Sequence, residues 1–384
     1  MNAHDVIIVG GGPAGSTAAA LLAESGLRVL LLEEKRMPRE KLCGGFITPE
    51  CFPTLSRLRL IDNLLSAGAE RIGRLSLFSA SKRIDAELAA ISNKSGWAMS
   101  LSRGRFDQLL FERARSAGAE CRERIAVRQC VYEHGVPRGV EGIDLVTGRV
   151  ATFGASLVID ASGRQSRLML NREERAAGKR GSRFYAMQGH FENVGGLSGR
   201  VELFLFAGGY GGLAPVENGL VNLCFITTEG AILNARGDYR KVVDETILTN
   251  ASARERFAGA RLAGQWHTAG PLAFGKRRLS RRGVMAIGDA AGMIDPFTGT
   301  GIQIALRSGE LAAAAVVEAF ESRPNAAEAL KRYSSYYKAE FGPRMAVAGA
   351  LRPVVFSPIA TALTARVLSS IPALTSVLLR ATRR

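Results

Sequence analysis

Two groups of residues in this chain have the types and the spacing to do chemistry. The first is Gly10-x-Gly12-x-x-Gly15, with Pro13 and Ala14 inside it, set between an apolar run at 5–9 and an Ala/Leu-rich stretch ending near Gly26. Glycines so spaced allow a tight turn and let backbone approach a pyrophosphate. A helix opening there offers free N–H groups and a positive dipole end to the phosphates. The next apolar run, 28–32, ends in Glu33, with Glu34 directly after it. An acid at that strand end can accept hydrogen bonds from a ribose. Glu33 is the first residue after the run, and Glu34 is the alternative. A glycine triplet alone is a weak signal. Strand, turn, helix, strand and acid in this order make a complete βαβ nucleotide-binding unit.

The second group lies at 284–309, VMAIGDAAGMIDPFTGTGIQIALRSG. An apolar strand ends in Gly288-Asp289, and Pro296 precedes Gly299-x-Gly301 and Ile302 at the start of a helix. Asp289 at a strand end can hold a ribityl hydroxyl. A helix N-terminus at 299–302 would set positive dipole against the edge of a flavin where negative charge grows on reduction. With both ends taken together, the chain resembles the FAD-dependent oxidoreductases of the aromatic-hydroxylase superfamily. Within it, 36–45 (RMPREKLCGG) resembles the segment after the second strand in geranylgeranyl reductase-like and halogenase-like members. The resemblance implies that FAD is the cofactor, that Arg103 at the head of a helix contacts it, and that Cys43 lies beside the flavin ring. Cys43 is also consistent with a small buried hydrophobe.

Departures from the family pattern narrow the chemistry. The middle motif reads Asp160-Ala161-Ser162-Gly163, so Ser162 stands where NADPH-using hydroxylases carry aspartate. The reductant is therefore expected to be either NAD(P)H or a separate electron-donor protein. The stretch Tyr210-Gly211-Gly212-Leu213-Ala214-Pro215 lacks both tryptophans of the halogenase motif, which disfavours halogenation. Against the prenyl-reductase form it keeps Tyr210 and Pro215, with Gly212 and Ala214 replacing Trp and Phe, so a roomier site is expected. Tyr210 either faces flavin or substrate, or packs.

The elements that must position these residues follow from periodicity. Helices are expected at 102–117, 301–320 and 326–341, and a short strand at 156–160. Antiparallel strands are expected at 201–206 and 220–226. The fold class is α/β: a Rossmann-type FAD-binding domain from 1–75, 100–170 and 270–342, interleaved with a mixed or antiparallel substrate sheet from 76–99 and 171–269. A C-terminal helical segment, 343–384, is expected to include an amphipathic stretch from Ser357 that carries Arg366, Arg380, Arg383 and Arg384. That stretch either packs on the protein or lies on an anionic membrane surface.

Composition excludes several classes. With 384 residues, 47% apolar and 22% charged, the chain is globular rather than disordered. The five cysteines form no CxxC pair and the four histidines are scattered, so no metal site is expected. His190 and His267 fall in the substrate region. No run approaches the ~20 apolar residues of a spanning helix. The net charge of +16 calls for an anionic partner. The basic cluster at 276–282 lacks interleaved aromatics, which argues against nucleic acid and for a solvated hairpin or a docking surface. A cytoplasmic protein with free thiols is expected, with the inner membrane face as a peripheral location. The expected activity is a monooxygenase acting on a hydrophobic, apolar or aromatic small molecule through a flavin C4a-hydroperoxide. The alternatives are a reductase of isoprenoid double bonds and a flavin electron carrier to a quinone or partner protein.

Overall fold

The computed structural model describes residues 4–79, 82–91, 95–171, 173–174, 184–272, 274–293 and 299–356. Pro296 and the stretch from Ser357 onward lie outside these residues.

The four apolar runs become a parallel sheet because helices and a β-meander bury both faces, which suits continuous Val/Ile/Leu sequence. Its order is Ser280–Arg281, Val284–Ala286, Val150–Asp160, His4–Val9, Val29–Leu32, Glu120–Arg122, with the edge strand Ser280–Arg281 antiparallel to Val284–Ala286. His4–Val9 runs parallel to Val150–Asp160 on one side and to Val29–Leu32 on the other. The strand expected at 156–160 is eleven residues long, Val150–Asp160. Its second half pairs with His4–Val9, while its first half pairs antiparallel with Val136–Asp144. That first half alternates exposed and covered residues and contains Gly154, so it carries no continuous apolar signal.

Close helix packing follows from two glycines. A Cβ on Gly15 would lie 1.9 Å from the Gly10 carbonyl oxygen, and one on Gly309 would lie 2.4 Å from that of Ala14. The Pro13–Glu24 helix therefore settles onto its own entry turn and against the Gly301–Phe320 helix. The first of these ends at Gly26, whose φ of +85° suits glycine. The expected 326–341 helix continues to Phe356.

The second sheet has seven strands in the order Arg261–Ala269, Phe184–Glu192, Val221–Thr228, Gly209–Pro215, Arg200–Phe206, Arg74–Ser79, Lys82–Glu87. It is mixed, since Arg200–Phe206 pairs parallel with Arg74–Ser79. The strands expected at 201–206 and 220–226 are not neighbours. The glycine-rich Gly209–Pro215 lies between them, antiparallel to both. One face buries Phe78, Phe204, Leu213 and Phe225, with Phe78 and Phe204 stacked at 4.7 Å. The other face turns toward the parallel sheet. Among the described residues, no helix is long and apolar enough to cross a membrane.

Candidate active site

Between the two sheets lies a cavity of about 940 Å³. At one end it is lined by Gly10, Gly12, Pro13 and Ala14, by Glu33 and Glu34, and by Arg103. Gly288, Asp289, Gly299, Gly301 and Ile302 line the same end, although almost the whole chain separates them from the first glycines. Gly15 stands apart from the lining and serves the packing just described. The helix at Pro13 starts at Gly12 with no capping side chain, and the helix at Gly301 has no side-chain cap from Thr300. Two helix N-termini therefore present backbone donors and positive dipole to one space.

Glu33 is buried, and its carboxylate accepts the Gly11 N–H at 2.8 Å and the Lys35 N–H at 2.9 Å. It thus shapes the glycine turn as well as facing the cavity, while Glu34 is exposed at the rim. Arg103 is not a solvated helix start but is 5% exposed and donates to both oxygens of Asp107, at 2.7 and 2.8 Å. Burial opposes its charge, but the neighbouring carboxylate outweighs this and pushes the pKa of Arg103 up. Arg39 joins the same carboxylate, Nη1 to Oδ2 at 3.2 Å. Neither Arg39 nor Asp107 stands out from the motifs. The i,i+4 spacing of Arg103 and Asp107 is the signal that could have found the second.

The basic cluster divides. Arg277 turns inward and donates to the Arg164 carbonyl at 2.7 Å, and Arg281 donates to that of Met169 at 2.9 Å. Only part of the expected solvated hairpin therefore faces water. Lys41 Nζ lies 3.6 Å from Asp289. Burial lowers the pKa values of Lys41, Arg164 and Arg277, with Asp289 opposing each shift. Three cations around one carboxylate leave positive charge for an anionic ligand. Ser162 donates its hydroxyl to Asp160 at 2.6 Å, and burial raises the pKa of that acid.

This end fits FAD. The cradle at Gly12 has room, since a Cβ there would meet only Arg39 Nη2, at 3.3 Å. Arg39 Nε is buried and makes no hydrogen bond, with Glu33 Oε1 3.5 Å away. The uncapped N–H groups and the cations match a pyrophosphate, and the acids at Glu33 and Asp289 match sugar hydroxyls. When bound, the cofactor brings hydride chemistry that side chains lack.

The other end is an apolar chamber on the second sheet. Cross-strand register sets Ile84, Leu77, Leu203, Gly212 and Cys224 in one row across that face, continuing to Gln188 and His267. Tyr210 lines the chamber too, 6% exposed, in register with Leu205 and Ile226. Cys43 lines the cavity, and the Arg103 side chain interacts with its thiol. His267 belongs to the lining. His190 is half-buried with its Nε2 enclosed and unpartnered, and burial lowers its pKa. No cluster of metal-binding side chains occurs among the described residues.

The FAD-binding-domain family matches residues 3–336 of this chain. The chain belongs to that family. It is a FAD-dependent oxidoreductase. It is 31% identical to digeranylgeranylglycerophospholipid reductase 1 of Methanopyrus kandleri over 350 residues, 88% of this chain and 86% of the relative. Two solved structures share the fold. A flavin-dependent brominase superposes with a TM-score of 0.80 at 19% identity, covering 98% of this chain and 93% of the other. A geranylgeranyl bacteriochlorophyll reductase-like protein of Thermoplasma acidophilum gives 0.77 at 23% identity, covering 92% and 87%.

Proposed function

We propose that this FAD-dependent oxidoreductase saturates carbon–carbon double bonds of an isoprenoid lipid. The observation that carries the reading is the chamber wall. The strands at 74–79, 82–87, 200–206 and 209–215 present Leu75, Leu77, Ile84, Val201, Leu203 and Leu205 to the cavity. On these four strands Tyr210 is the one aromatic side chain among the described lining residues. A branched hydrocarbon chain fills such a wall by burial alone, at about 25 cal/mol per Å². An aromatic hydroxylation substrate calls for ring contacts and placed polar groups. The reading therefore departs from the monooxygenase expected from sequence. The relative in Methanopyrus kandleri, by its name a reductase of a digeranylgeranyl lipid, supports it.

Saturation adds a hydride and a proton across the double bond. Reduced FAD, when bound, would supply the hydride. The chain's residues bind the phosphates, exclude water and hold the proton. Cys43 Sγ, at the cavity with Arg103 against it, gives its proton to the second carbon. The thiolate left behind takes its proton back from water after the product leaves. Electrons come from NAD(P)H or a donor protein.

Photoreducing the protein without air bypasses the unknown donor. Mixing it with a digeranylgeranyl phospholipid should reoxidise the flavin. Failure of that lipid and of free geranylgeranyl chains to do so, with air then yielding an oxygenated product, would overturn the reading. Adding NADH, NADPH or a reductase in place of light identifies the donor.

A further inference from the structure

Cys43 is held by its backbone as well as lying beside Arg103. Its N–H donates to Gln188 Oε1 at 3.0 Å, and its carbonyl accepts from Asn222 Nδ2 at 2.8 Å. The two amide side chains come from adjacent strands of the second sheet. Register pairs Gln188 with Cys224 and Asn222 with His190, so Gln188 and Asn222 share the face turned toward the cavity side. Each residue is 1% exposed.

The polarity of this grip is fixed. An N–H requires an acceptor and a carbonyl requires a donor, so neither amide can turn over. Both pay for that orientation: Gln188 Nε2 and Asn222 Oδ1 are buried without partners. The chain just beyond is also constrained. Gly45 has φ +72°, and a Cβ on it would lie 2.8 Å from the Leu101 carbonyl oxygen. The Gly45 carbonyl accepts the Leu101 N–H at 3.0 Å. Gly44, between the two anchors, would meet nothing within 4 Å and lines the cavity.

We propose that Gln188 and Asn222 are positioning residues that clamp the Cys43 peptide from the substrate sheet and so set where its thiol stands in the cavity. The consequence for proton donation rests on the reductase reading; the clamp itself does not. It ties the loop that carries Cys43 to the wall that carries the substrate, so the distance between thiol and substrate is fixed by one sheet.

The test uses isosteric pairs in the FAD-loaded protein, reading the rate at which iodoacetamide alkylates the Cys43 peptide by mass spectrometry. Gln188→Glu keeps an acceptor oxygen for the N–H in either protonation state, so the rate should stay within about twofold. Gln188→Leu removes the acceptor and Asn222→Leu removes the donor; each should shift the rate by about tenfold. Equal effects of Gln188→Glu and Gln188→Leu, or no effect of Asn222→Leu, overturn the clamp. If Asn222→Leu does not fold, Gln188→Leu against Gln188→Glu carries the same contrast. With a turned-over lipid, Gln188→Leu should lower kcat and leave KM within about twofold, which a loss of chamber packing would not do. If no prenyl lipid is turned over, the reductase reading fails while the alkylation contrast still decides the clamp.

Discussion

The two ends of the cavity are built from different parts of the chain's chemistry. The nucleotide end is made of backbone: glycine turns at Gly10–Gly12 and Gly288, two uncapped helix N-termini, and a few charges fixed by Asp107 and Glu33. The chamber end is made of side chains set at alternate positions on a mixed sheet. A backbone site admits few residues at each position, because a Cβ or a wrong φ would close it. A side-chain wall admits any apolar residue of suitable volume. Cofactor binding should therefore be brittle to small substitutions, and substrate binding should change by degrees.

The largest effect should come from Asp107→Ala. It leaves the buried Arg103 and Arg39 guanidinium groups without their shared carboxylate, which should cost about 3–5 kcal/mol. A denaturant titration measures this, and a loss under about 1 kcal/mol would mean that the charges find another partner. Gly15→Ala is next. Its methyl would meet the Gly10 carbonyl at 1.9 Å, so about 1–3 kcal/mol of stability and most bound flavin should be lost together. Gly12→Val is the sharper companion, because within the protein its Cβ would meet only the far end of the Arg39 side chain, at 3.3 Å, which can shift, whereas a bound pyrophosphate cannot. It should fold and purify without flavin. If Gly12→Val keeps flavin, the pyrophosphate is not where the glycines place it.

Leu203→Asp tests the other end. It puts a carboxylate in the middle of the aliphatic row, so KM for a prenyl lipid should rise about tenfold or more with flavin content unchanged. Parallel loss of flavin would show that the two ends are not separable. The smallest effect is expected at Glu34→Gln, on the exposed rim, with flavin affinity changed by less than about twofold. Glu33→Gln, which turns one of the two oxygens that accept from the Gly11 and Lys35 N–H groups into a donor, should weaken flavin binding about tenfold.

The same division decides what the sequence made legible. Gly10, Gly12, Asp289 and Gly301, which line the cavity, are legible because glycine turns and a strand-end acid stand out next to apolar runs. Arg39, Lys41 and Asp107 were not singled out, since charged residues at those positions also suit a solvated surface. The first half of Val150–Asp160 was missed because its alternation is weak and broken by Gly154. The order of the second sheet was not readable, as register among short amphipathic strands depends on partners far away in the chain. Gln188 and Asn222 belong to that hidden part. Ordinary amides on strands gain their meaning only when a loop from residue 43 folds onto them. The amphipathic stretch expected from Ser357, either packed on the protein or lying on an anionic membrane surface, falls outside the described residues.

The most direct measurement of the central claim is the mass of the product made from a digeranylgeranyl phospholipid, with reduced protein, in the presence and absence of oxygen. The account predicts one product in both cases, heavier by two hydrogens for each double bond consumed and free of added oxygen. A product formed only in air and carrying an oxygen atom would contradict it and return the protein to the monooxygenases.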